Sequence, residues 1–153
     1  MLQEQPQALT VMVGGENSRA DYVKVSFFGT VGFGRVGEPE LTEDRMLQVA
    51  SLDDLMATKV KVIMQRIEAK DYQDIAAMIR AKVDLARGLA AARALYGNEF
   101  QPGEALKAMV YFKGGDLPSL SVEDRQTLIQ AVSAVRDLPA VGIVSRCLTW
   151  RGE

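Results

Sequence analysis

Apolar residues follow two different rhythms along this chain. Up to about residue 50 they come in short runs broken by turn residues. "ALTVMV" (8–13) is rich in Val. "YVKVSFF" (22–28) partly alternates, with Val23, Val25 and Phe27 on one side and Tyr22, Lys24 and Ser26 on the other. "GGENSRAD" (14–21) between them is turn chemistry. "TVGFGRV" (30–36) reads as a third strand, weakened by its glycines. The pattern predicts a small antiparallel meander.

The rhythm then becomes helical. "EPELTED" (38–44) reads as a loop and "RMLQVA" (45–50) as a short extended piece. Helices are predicted over 52–66, 70–81, 84–97, 102–112 and 121–137. Ser51 with Asp54, and Ser121 with Asp124, form a weak version of the capping box. Pro102 opens the fourth helix, Gly97 stops the third and Pro139 ends the fifth. The expected fold class is α+β: a small antiparallel β meander followed by a bundle of about five helices. One domain is expected, with a β part over 1–50, a helical part over 51–138 and a tail over 139–153.

The first two helices place charge where the period asks for hydrocarbon. On a wheel of about 100° per residue with Leu52 at zero, Leu55, Met56, Val62 and Ile63 fall between about −80° and +40°. Lys59, at about −20°, lies in the middle of that arc, and Arg66, at about −40°, on the same side. Lys61 falls opposite, beside Asp54 and Gln65, and reads as a solvated surface residue. The second helix repeats the pattern. Asp71 shares a face with Ile75, Met78 and Ile79, and Asp74 sits on its edge. A buried charge needs a partner. Internal pairing of Lys59 or Arg66 with Asp71 or Asp74 across the joint "IEAK" is one reading. A cleft in which Lys59 and Arg66 face a polyanion is the other. The two are compatible, since a lysine held by an aspartate is also well positioned.

Composition narrows the chemistry. The 153 residues are 48% hydrophobic and 25% charged, with a net charge of −2, so no broad polyanion-binding surface is expected. There is no histidine, which removes histidine metal ligands, Ser-His-Asp triads and histidine general bases. The one cysteine, Cys147, can form neither an internal disulfide nor a zinc cluster, and reads as an inert tail thiol. Trp150 reads as a packing anchor or a simply exposed side chain, and Tyr111 and Phe112 as core. The polar start "MLQEQPQALT" is no signal peptide, and no apolar run spans a membrane. A cytoplasmic location is expected. "GFGRVG" (32–37) matches G-x-G-x-x-G, but "EPELTED" follows it where a phosphate-binding helix would have to start. It reads as a glycine-tolerant strand or turn.

"LQVASLDDLMATKVKVIMQRIEAKDYQDIAAMI" (47–79) resembles the C-terminal motif region of the AbiEii/AbiGii-type nucleotidyltransferase family, the toxin side of abortive-infection toxin–antitoxin systems. The family pattern is a "SLxDLxxxK" helix, an arginine, then "[RK]DxxD". It falls on Ser51-Leu52, Asp54-Leu55, Lys59, Arg66, Lys70-Asp71 and Asp74. The strands before and helices after are similar to one bacterial branch of that family. The resemblance implies a DNA polymerase β-like core that binds a nucleoside triphosphate with Mg²⁺ and transfers a nucleotidyl group to an acceptor such as tRNA. It implies catalytic roles for Lys59, Asp71 and Asp74, with Lys59 and Arg66 on the nucleotide, and an antitoxin or paralogue as protein partner. The family's first motif, a Gly-Gly-Thr/Ser turn followed by an Asp-x-Asp metal-binding strand, has no counterpart before residue 50. A chain truncated at its N-terminus, and inactive alone, is therefore the first expectation. A binding module that docks an antitoxin or paralogue through the strand edge "YVKVSFF" is the second.

Overall fold

A computed structural model of the chain describes residues 3–5, 8–14, 22–28, 32 and 34–147. Most of the expected turn over 14–21, much of the expected third strand over 30–36, and Trp150 lie outside the described residues. The chain divides into two compact units, Met1–Gly32 and Phe33–Glu153.

The first unit is an antiparallel sheet in the order β1-β2-β3, with β1 Gln3–Gln5, β2 Ala8–Val13 and β3 Val23–Phe28. Val11 faces Val25 and Thr10 faces Ser26 in its register. The Thr10 and Ser26 hydroxyls share a hydrogen bond of 2.9 Å across it. Met12, Val13, Val23, Phe27 and Phe28 are exposed.

The second unit opens with Arg35, which forms an isolated antiparallel bridge with Ser145. The described end of the expected third strand is thus paired with the chain's C-terminal segment. Residues read as loop and extended piece pair with each other: β4 Glu40–Leu41 and β5 Gln48–Val49 make a short hairpin. Thr42 closes it by accepting from the Leu47 amide. Five α-helices follow: α1 Leu52–Val62, α2 Ala69–Arg80, α3 Leu85–Tyr96, α4 Pro102–Met109 and α5 Val122–Ala134. The α+β class and the run of five helices match the sequence pattern. No described helix is long and apolar enough to cross a membrane.

Packing turns α1 about its axis relative to the predicted arc. α1 lies most closely on α3, and α2 on α5. The α1 core face is Met56, Ala57, Val60 and Ile63, while Leu52 and Leu55 are exposed. The reason is α3, whose buried Gly88, Ala91 and Ala92 let α1 approach closely enough to hide Ala57. α2 shows the same turn, burying Tyr72 and Ala76 beside Ile75. Lys59 therefore sits on the flank of the core face, at the seam between α1 and α2. Asp71 and Asp74 approach that seam from the other helix.

Candidate functional site

The seam is built by a fixed joint. α1 ends at Val62, so Arg66, expected within the helix, lies in the joint instead. Glu68 precedes α2 but makes no side-chain cap. The cap comes from far along the chain: the Asp116 carboxylate accepts from the Ala69 amide at 2.7 Å. Asp116 follows Gly115, whose φ of +49° is the left-handed conformation that glycine adopts freely. A Cβ there would stand 2.7 Å from the Ile67 carbonyl oxygen. The "KGGD" turn thus grips the joint from outside, and neither Gly115 nor Asp116 is singled out by the helical pattern.

On this frame the four charged residues meet. Lys59 Nζ lies 3.0 Å from Asp71 Oδ1 and 2.5 Å from Asp74 Oδ2. Arg66 donates from Nε to Asp71 Oδ2 at 2.8 Å and from one Nη to Oδ1 at 3.2 Å, a bidentate fork. Glu68 is a looser second partner for Arg66, at 3.6 Å. The Asp71 side chain is 1% exposed, Lys59 22%, Asp74 39% and Arg66 53%. The cluster is graded from a buried carboxylate to a solvent edge. Burial alone would raise the Asp71 pKa, but Arg66 and Lys59 hold it below the ordinary carboxylate range. Burial would lower Lys59, and the hydrogen bonds it donates to Asp74 and Asp71 reverse this, leaving it raised. The Asp71 bond likewise raises Arg66. All three groups stay charged near neutral pH.

The glycine pattern "GFGRVG" has a different use. The Val36 and Gly37 amides donate to the Asp54 carboxylate at 2.7 and 3.0 Å. Ser51 Oγ accepts from the Asp54 amide at 3.1 Å and donates to the carboxylate at 2.6 Å. A Cβ on Gly37 would fall 2.3 Å from Ser51 Oγ, so only glycine fits this approach. The pattern does cradle an anion, but the anion is the chain's own aspartate. Asp54, placed by the wheel on the solvated face, is buried. Lys61 is corrected too: it is half-buried, donates to the Glu99 carbonyl at 2.7 Å and lies 5.5 Å from the centre of the Tyr96 ring. Tyr111, read as core, is exposed, whereas Phe112 packs at the core edge under Arg125.

The chain is thus an α+β protein in which a lysine and an arginine are gathered on two aspartates at a helix seam. The family model "Nucleotidyl transferase AbiEii toxin, Type IV TA system" matches residues 3–136, and the chain belongs to that family. No curated protein and no solved structure matches the chain.

Proposed function

We propose that the chain binds the triphosphate of a nucleoside triphosphate on the solvent edge of Lys59 and Arg66 and does not transfer a nucleotidyl group alone. The observation that carries this reading is the Lys59 ammonium, held by Asp71 at 3.0 Å and Asp74 at 2.5 Å while part of its side chain stays accessible. A lysine anchored by a buried carboxylate loses little freedom on meeting a phosphate. Arg66, bidentate on Asp71, presents the rest of its guanidinium to solvent. Asp71 orients both cations, and Asp74 is the more exposed of the two carboxylates.

The family's transfer chemistry uses Mg²⁺, and these residues do not fit a Mg²⁺ site. Both Asp71 oxygens are taken by cations, and Asp74 is engaged by Lys59. Among the described residues no three Asp, Glu, Cys or His side chains gather as a metal site. The sequence has no Asp-x-Asp. This chain's own part is to bind and orient phosphate, and an RNA acceptor and metal-binding carboxylates would be met elsewhere. Incubation with each labelled nucleoside triphosphate, Mg²⁺ and bulk tRNA should give nucleotide binding without label transfer, and Lys59→Ala should abolish the binding. Strong transfer that Lys59→Ala removes overturns the inactivity. Binding that Lys59→Ala leaves untouched overturns the site.

A second reading has its own observation. Among the described residues β3 pairs only with β2, and Val23, Phe27 and Phe28 on it are exposed. An edge of this kind accepts an added strand, which suits a module that docks an antitoxin or paralogue. Light scattering that finds a clean monomer at high concentration, with no complex on adding the antitoxin, counts against it.

A further inference from the structure

The two aspartates on Lys59 are not equivalent, and we infer that Asp74 competes with phosphate for the Lys59 ammonium. The inference rests on the phosphate-site reading above. Asp71 is enclosed and engaged three times, by Lys59 on Oδ1 and by the Arg66 fork on both oxygens. It cannot leave without breaking the Arg66 fork and one of the two Lys59 bonds. Asp74 is engaged once, through Oδ2, and its side chain is partly open to solvent. It stands one helical turn after Asp71 on the same flank of α2.

Charge makes the consequence definite. Lys59 and Arg66 contribute two positive charges, and Asp71, Asp74 and the looser partner Glu68 three negative, so the cations carry no excess of positive charge. A cluster without excess positive charge offers a triphosphate no net attraction. Asp74 holds the outer position on the ammonium, where an entering phosphate oxygen would have to bind. Phosphate displaces Asp74, Lys59 keeps its bond to Asp71, and the Asp74 carboxylate turns to water. Asp74 thereby sets how readily the site fills, while Asp71 is the positioning residue.

Removing Asp74 should therefore strengthen the site, the reverse of what loss of a site residue ordinarily does. The test is calorimetric titration of the full chain with inorganic triphosphate, for the wild type, Asp74→Asn, Asp74→Ser and Lys59→Ala. Thermal melts confirm that each variant is folded, and the Ser variant stands in should the Asn variant misfold. Both Asp74 variants should bind on the order of tenfold tighter. The gain should shrink at high salt, which a merely structural change would not do. Lys59→Ala should lose binding. Equal or weaker binding by the Asp74 variants, with binding still lost in Lys59→Ala, overturns the competition and leaves the phosphate site standing. No binding by wild type or by either Asp74 variant overturns both.

Discussion

Two buried carboxylates on the first two helices are neutralised in opposite ways. Asp54 ends on neutral donors: its oxygens accept from the Val36 and Gly37 amides and from the Ser51 hydroxyl. Asp71 ends on side chains, between Lys59 and Arg66. Amides in a folded loop cannot reorient towards a ligand, so the first arrangement is saturated and closed. Ammonium and guanidinium groups carry donors to spare and reach solvent. The Asp54 cradle ties the start of α1 to the loop before it, and the Asp71 cluster is the proposed phosphate site. Both carboxylates are buried, and the identity of their donors separates the two arrangements.

The hardest way to break this contrast is to remove the tie. Asp54→Ala should cost about 4 kcal/mol, because two amides lose their acceptor and Ser51 its partner. Denaturant unfolding measures it. Triphosphate binding by the fraction that remains folded should be unchanged. A loss of binding without a loss of stability would mean that the two carboxylates share one site.

Asp71→Asn comes next, at about 2–3 kcal/mol, less than a fully enclosed pair because both cations reach water. Unlike Asp54→Ala, it should weaken triphosphate binding as well, since Lys59 and Arg66 lose their common anchor. Its pH signature is specific. The Asp71 pKa in the fold lies below the ordinary 3.8, so its contribution is complete above that value and lost as pH falls through the lowered one. Asp124, lowered by Arg80, behaves alike. Lys59 acts at the other end: its contribution is complete below 10.5 and is lost as pH rises through its raised value. Asp71→Asn should flatten the acid limb of stability below about pH 4 without removing the part due to Asp124. An unchanged acid limb would contradict the ion pairing of Asp71.

Gly115→Ala should cost about 2 kcal/mol, from a strained positive φ and a clash with the Ile67 carbonyl. It probes the joint rather than the cluster. Displacing Ile67 shifts its neighbour Arg66, so triphosphate affinity should fall about threefold even where the variant is folded. Calorimetry and melting on the same sample separate the two effects.

These residues also mark what the sequence could and could not reveal. Lys59, Arg66, Asp71 and Asp74 were legible because unpartnered charge on an apolar helical face demands a partner, and the partners lay just across one short joint. The Ser51–Asp54 start was legible as a cap, but its second use was not. The amides that complete it lie 18 and 17 residues away, at the end of the glycine-rich stretch, where no helical period reaches. Asp116, which caps α2 from a separation of 47 residues, carried no local signal beyond its Gly-Gly turn. The hairpin β4–β5 was too short to show alternation. The wheel erred by a consistent rotation because it weighted Leu and Val and ignored Ala57 and Tyr72, which close packing against other helices buries.

The smallest effect tests that rotation. Leu52→Ser should change stability by less than about 0.5 kcal/mol, because Leu52 is 56% exposed and makes no core layer. Met56→Ala, one turn on and fully buried, should cost about 3 kcal/mol and calibrates the measurement. The pair decides on which side of α1 the core lies. Had the predicted arc been right, Leu52 would cost as much as Met56, and Lys59 between them would be walled in by hydrocarbon. A near-zero Leu52→Ser value leaves one flank of α1 open to solvent from Leu52 to Lys59, which is the access the proposed phosphate site requires. A cost near that of Met56→Ala would close that flank, and the contrast between a sealed tie and an open site would disappear with it.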